Sequence, residues 1–309
     1  MSEYSDPKKS LILYEFNDKF SFLINLYNSK RMPKVLMMSG KKGIGKFTLI
    51  NHVLSYIFDK DNYDVQNKNI NNNTNYYKQY LLNIFPNVMY FSGNDFKNVK
   101  VEDVRTLKTR LLKTNLSLKE RFIILDDIEL FNENSLNALL KIIEEPSSNN
   151  HFILINNKTK HLIDTVYSRS LELKILLNNK TRLKIIESLI KRDNLQILID
   201  FKNFNLSPGN FLTFNRICIE NKIQVDKSFL QNLHTLLSLY KKSKDINLIN
   251  MILYLTDYYF KNIQEKKINN IEKIVENKLF VLNNINKFIT FNLNQNSLIN
   301  SITNKLSNE

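Results

Sequence analysis

The chain has 309 residues, 43% of them hydrophobic and 11% aromatic, which is enough to bury a real core and suggests two domains or three small ones. Its formal net charge is +14, from 44 Lys and Arg against 30 Asp and Glu, a balance that suits either a polyanionic partner or lysines spread over solvated faces. The single cysteine, Cys218, excludes an intrachain disulfide and a Cys-based zinc site. The first ten residues lack an apolar signal core, and no apolar run approaches the roughly 20 residues that cross a bilayer; the expectation is a soluble protein of a reducing compartment.

In chain order, "KVLMMSG" (Lys34 to Gly40) is a short apolar run stopping at Gly, which predicts a buried strand. After a Gly-rich loop, Phe47, Ile50, Val53, Leu54 and Phe58 recur at three- and four-residue steps and predict a helix. Residues Asp59 to Gln79 are Asn-rich and aperiodic and read as an exposed, mobile insertion. "NVMYFSG" (Asn87 to Gly93) reads as a strand, Val101 to Lys113 as a helix, and "RFIILDD" (Arg121 to Asp127) as a strand ending in two carboxylates. A helix follows over Asn132 to Pro146, capped by Asn and stopped by Pro, then a strand over His151 to Asn157 and a last one in "LELKIL". Strands alternating with helices predict a parallel α/β domain. Beyond Leu177 helical periods dominate. The expected division is an α/β domain over 1–176 with an insertion at about 59–79, a small helical lid over 177–223, and a C-terminal helical collar or oligomerisation domain over 224–309.

The loop "GKKGIGK" carries Gly40, Gly43, Gly45 and Lys46. Such glycines turn backbone N–H groups inward around phosphate, the lysine reaches the β- and γ-phosphates, and the helix N-terminus adds its dipole. The residue that should supply a Mg²⁺-binding hydroxyl is Phe47. Thr48 carries one, but about 100° further round the helix. Asp126 stands where a carboxylate supports Mg²⁺, and Asp127 where a longer Glu would orient the attacking water. Taken alone, the pair reads first as solvating the end of a strand or capping the next segment; the phosphate loop upstream reverses that.

Asn134 to Ser170, "NSLNALLKIIEEPSSNNHFILINNKTKHLIDTVYSRS", resembles the clamp-loader branch of the AAA+ ATPases: its Asn-Ala-Leu-Leu-Lys helix, its Glu-Glu-Pro exit, its sensor strand and a Ser-Arg-Cys-like element at Ser168-Arg169-Ser170. "KVEDVRTLKTRL" and "RMPKVLMMSGKKGIGK" are similar to the corresponding family segments, so that ordered motifs run over about residues 15–212. The resemblance implies a P-loop sheet with helices on both faces. It also implies a nucleotide site built from the residues above, with Asn156 or Asn157 at the sensor that feels the γ-phosphate.

Departures from the family pattern concentrate at that site. Phe47 replaces the hydroxyl, Asp127 the catalytic Glu, and Gly209 or Asn210 of "LSPG" stands where ATP-using relatives carry a sensor Arg. The four-Cys zinc module of many relatives is replaced by the Asn-rich segment, so no zinc is expected. ATP or ADP with Mg²⁺ is expected to bind weakly. Arg169 is retained; in the family this Arg reaches a neighbouring subunit's ATP site as a trans-acting finger, although taken alone an Arg ending a loop reads first as a surface residue.

The resemblance thus implies a largely non-hydrolysing subunit in the replicative polymerase holoenzyme of a bacterial cytoplasm. Its implied partners are an ATPase subunit similar to gamma/tau, a delta-like wrench subunit, primer–template DNA and the sliding clamp. The alternatives are an ATP-hydrolysing motor subunit of the same assembly and an unrelated nucleic-acid-binding scaffold.

Overall fold

The computed structural model describes residues 6–93, 102, 104–106, 109, 120–144, 149–266 and 271–307. They fall into two compact units: Met1–Asn194 with Asn205–Asn210, and Leu195–Phe204 with Phe211–Glu309.

The first unit is built on five strands, β1 (Val35–Ser39), β2 (Val88–Ser92), β3 (Arg121–Asp126), β4 (Asn150–Asn156) and β5 (Leu171–Lys174). They pair in the order β2-β3-β4-β1-β5, every pair parallel. In β1 and β4 every residue is buried, as strands covered on both faces require.

Alternate strand residues serve opposite cores. Leu36, Met38, Phe122, Ile124, Ile153 and Ile155 share one cluster with helices α1 (Asn17–Asn28), α2 (Lys46–Phe58) and α3 (Asn75–Leu81). Val35, Met37, Ile123, Leu125, Phe152 and Leu154 join the other, with α4 (Glu133–Glu144) and the single turn α5 (Asp164–Tyr167). In α4, Leu136, Leu139, Leu140 and Ile143 form the buried stripe. Its start is capped by Asn132, whose side-chain oxygen accepts from the Ser135 amide at 2.8 Å.

The helix expected over Val101–Lys113 lies largely outside the described residues; within it Glu102, Val104, Arg105, Thr106 and Thr109 are helical and Val104 is buried. The Glu145–Pro146 exit of α4 also lies outside them.

Most residues of the Asn-rich segment are exposed, as read from the sequence, but the segment is folded onto the sheet unit. Leu13 N–H donates to Lys68 O at 3.0 Å and Ile70 N–H to Leu11 O at 2.9 Å, so the segment is tied to the chain's N-terminal stretch. Tyr63, Ile70, Tyr76, Tyr77 and Tyr80 are buried in the core under β1 and β3. Few apolar side chains are needed to anchor a loop when they are tyrosines, because each buries a large ring. The asparagines and aspartates supply the turns: Asp64 accepts from the Gln66 and Asn67 amides, each at 2.9 Å.

Helix α6 (Asn179–Asp193) belongs to the sheet unit, although the change to helical periods had suggested a lid beginning at 177. Its buried Arg182 donates to Asn179 Oδ1 at 2.9 and 2.7 Å and to the carbonyl of Leu206 at 3.1 Å. That bond ties the Asn205–Asn210 turn to the same unit.

The second unit is helical: α7 (Pro208–Asn221, from Phe211 onward), α8 (Phe229–Ser243), α9 (Ile246–Lys266), α10 (Ile271–Phe291) and α11 (Gln295–Ser307). Helices α8 to α11 pack in sequence, with α11 returning to α8. Phe211, Phe214, Leu233, Leu236, Leu237, Met251, Ile252, Val281, Ile285 and Ile302 are almost fully buried within it. No described helix is long and apolar enough to cross a membrane.

Candidate functional site

The carboxyl ends of β1, β3 and β4 lie side by side, where parallel α/β sheets place their ligands. Ser39 pairs with Asn156 in register, and Gly40 N–H donates to Asn156 O at 3.1 Å. The loop from Gly40 to Gly45 therefore leaves the sheet beside the Asp126–Asp127 and Asn156–Asn157 pairs. Gly43 and Gly45 adopt φ of 78° and 101°, a region that disfavours side chains, and Gly45 opens α2.

Lys46 is only 3% exposed. It donates to Gly40 O at 2.6 Å and Lys41 O at 2.9 Å, back into its own loop. Burial pulls its pKa down to about 8, opposed by Asp126, Glu129 and Asp127.

Phe47 is turned into the core. Its ring meets Tyr90 edge-on, with centroids 5.0 Å apart. The Tyr90 hydroxyl donates to Asp126 Oδ2 at 3.1 Å, and the Asp127 amide donates to Asp126 Oδ1 at 2.8 Å. Burial, then the neighbouring Asp127, push the Asp126 carboxyl up to about 6. Thr48 lies next along the helix and is partly buried.

Asp127 adopts the left-handed conformation, φ 51°. Its Oδ1 accepts from Asn157 Nδ2 at 2.8 Å and from Lys42 Nζ at 3.3 Å. Glu129 extends the network, accepting from the Asn157 amide at 3.1 Å and from Thr159 Oγ1 at 2.8 Å.

Asn156 and Asn157 part company here. Adjacent strand residues point opposite ways. Asn157 reaches both aspartates, with Asp126 Oδ1 at 3.4 Å. Asn156 instead donates to the Tyr167 hydroxyl at 3.0 Å and accepts from the Lys158 amide at 2.8 Å. Of the two sensor candidates, the geometry joins Asn157 to the carboxylates, not Asn156.

The Asn205–Asn210 turn completes the site from above. Gly209 N–H donates to Gly43 O at 2.8 Å. A Cβ on Gly43 would lie 2.5 Å from Ser207 Oγ, and one on Gly209 would lie 2.9 Å from Gly43 Cα. Lys41 Nζ donates to Asn205 O at 2.8 Å.

Arg169 stands apart from this cluster, following α5. Its side chain is 37% exposed.

This donor set fits a phosphate-shaped loop and does not fit a catalytic Mg²⁺–nucleotide. No hydroxyl follows Lys46. Asp126 is committed to Tyr90 and to the Asp127 amide, and Asp127 to Lys42 and Asn157.

The profile of the family described as "DNA polymerase III, delta subunit" matches residues 17–178, just over half of the chain. The chain belongs to this family.

Among curated relatives, the chain is 24% identical over 231 residues to the DNA polymerase III subunit delta' of Buchnera aphidicola subsp. Schizaphis graminum, covering 74% of this chain and 67% of that protein. It is 25% identical over 137 residues to the Bacillus subtilis subunit delta', covering 44% and 41%. It is 26% identical over 112 residues to the Buchnera aphidicola subsp. Schizaphis graminum subunit gamma, covering 34% and 31%. Among solved structures, a gamma-subunit-related protein from Thermotoga maritima aligns with 96% of its chain and 91% of this one, at 15% identity and a TM-score of 0.44.

For this delta-family chain the sequence had pointed to Gly40, Gly43, Gly45, Lys46, Asp126 and Asp127, and the structure brings these together. Four participants were not singled out: Lys42, Tyr90, Glu129 and Ser207. Lys42 occupies a position where the loop pattern accepts any residue. Tyr90 reads as an ordinary strand residue. Glu129 follows β3 in a single 3₁₀ turn.

Proposed function

We propose that this chain is a delta-prime-like clamp-loader subunit of the DNA polymerase III holoenzyme. It hydrolyses little ATP itself and presents Arg169 to the ATP site of a gamma/tau-like neighbour during loading of the sliding clamp onto primed DNA. The observation that carries this reading is the Phe47–Tyr90–Asp126 chain: an aromatic ring fills the place of the Mg²⁺-binding hydroxyl, and the adjoining carboxylate is held by a phenol. The direct backbone bond from Gly209 to Gly43 supports it, because the loop is braced by protein where a motor would admit nucleotide. ATP or ADP is accordingly held weakly.

Arg169, on the protein surface beside a short turn, has the exposure a trans-acting residue needs. The excess of basic residues supports contact with the phosphates of primer–template DNA. Proteins that use such arginines gain roughly 10³–10⁵ in rate from them. Assembling the complex with Arg169→Ala tests the reading: the chain folds normally and ATP hydrolysis by the complex falls at least tenfold. Normal hydrolysis would exclude the finger. The second reading, a gamma/tau-like motor, has the subunit gamma relative in its favour and requires turnover by the isolated chain.

A further inference from the structure

All three nitrogens of the Arg169 guanidinium contact its own chain. Its Nε and one terminal nitrogen both lie 2.6 Å from Glu144 Oε1. The other terminal nitrogen donates to Thr165 O at 3.2 Å and to Ser168 Oγ at 3.3 Å. Glu144 is the last residue of α4, and its side chain is 44% exposed. Both partners therefore meet solvent, and the pair bridges α4 to the turn after α5.

We propose that Glu144 is a positioning residue that latches Arg169 against its own chain, and that the finger acts only after exchanging this carboxylate for phosphate oxygens on the neighbouring subunit. The inference rests on the finger reading given above. Geometry favours a latch over a brace: Glu144 takes the Nε edge and one terminal nitrogen, while the remaining nitrogen is turned to Thr165 and Ser168, so a second anion must displace at least one of these partners to take either edge of the fork in full. Exposure favours reversibility, because ion pairs open to water are weak and are screened by salt. A phosphate carrying more charge than a carboxylate, and held in a drier interface, outcompetes the latch.

The test uses the assembled clamp loader with wild-type, Glu144→Gln, Arg169→Ala and doubly substituted chains, reading steady-state ATP hydrolysis on primed DNA. Glu144→Gln keeps the shape of the side chain and removes its charge. The expected result is a rise of up to about fivefold for Glu144→Gln, a marked loss for Arg169→Ala, and no effect of Glu144→Gln in the Arg169→Ala background. The last arm separates positioning from a merely structural role in α4, which would act in both backgrounds. If Arg169→Ala depresses hydrolysis while Glu144→Gln leaves it unchanged or lowers it, the latch is overturned and the finger stands. A normal Arg169→Ala complex overturns the finger and the latch together.

Discussion

Gly209 and Gly43 meet backbone to backbone, the amide of one donating to the carbonyl of the other at 2.8 Å. Neither position has room for a side chain: a Cβ on Gly209 would stand 2.9 Å from Gly43 Cα and 3.0 Å from Gly43 O. The contact locks the phosphate-type loop to the Asn205–Asn210 turn of the same unit. Gly209→Ala is therefore expected to destabilise the first unit by about 1–3 kcal/mol, because backbone must move to admit the methyl group. Thermal denaturation followed by circular dichroism measures it; an unchanged midpoint would mean that the two glycines are not in contact.

Phe47 tests whether the loop can be returned to chemistry by one residue. Phe47→Ser restores the hydroxyl of the loop pattern and removes a buried ring that packs on Tyr90. The expected cost is roughly 3–5 kcal/mol, with no gain in ATP turnover, since Asp126 and Asp127 keep their internal partners. A soluble variant with new turnover would show that Phe47 alone silences the site.

Asp126 gives a pH signature. Its carboxyl is pushed up to about 6 in the folded chain, from an ordinary value of 3.8, by burial and by Asp127. Between those values the folded state holds more protons than the unfolded state, so stability falls as pH rises from about 4 to about 6. The deficit then persists above pH 6, at roughly 2–3 kcal/mol. Asp126→Asn removes the titration. Melting curves of the two proteins across pH 4 to 7 should diverge, the wild type losing stability relative to the variant; parallel curves contradict the assignment.

The Asn-rich segment supplies a test of the fold itself. Tyr76 is buried and packs edge-on to Phe85, with ring centroids 4.9 Å apart. Limited proteolysis of the native chain should spare residues 59–79, and Tyr76→Ala should expose them to cleavage. Rapid cutting of the wild type within this stretch would restore the picture of a mobile insertion.

These relationships differ in how far the sequence announces them. Apolar runs ending in Gly40, Asp127 and Asn157 predict β1, β3 and β4, because strands covered on both faces must be continuously apolar. The loop follows from the spacing of Gly40, Gly45 and Lys46. Composition hides that the Asn-rich segment is folded, because its three anchoring tyrosines, Tyr63, Tyr76 and Tyr77, have a spacing that matches neither helix nor strand over its whole length. Asn157 rather than Asn156 reaches the aspartates because strand alternation decides which of two neighbours faces them, and the register is set by partners elsewhere in the chain. The Gly209–Gly43 bond joins distant segments, and no local pattern encodes it. The Glu144–Arg169 pair is hidden for the same reason.

The central claim is that the chain's own nucleotide site does little chemistry. Steady-state ATP hydrolysis by the isolated chain, with Mg²⁺ in excess, tests it most directly. The account predicts turnover indistinguishable from a protein-free control. Turnover of about 1 s⁻¹ or more, in the range of working enzymes, would contradict it and favour the motor reading.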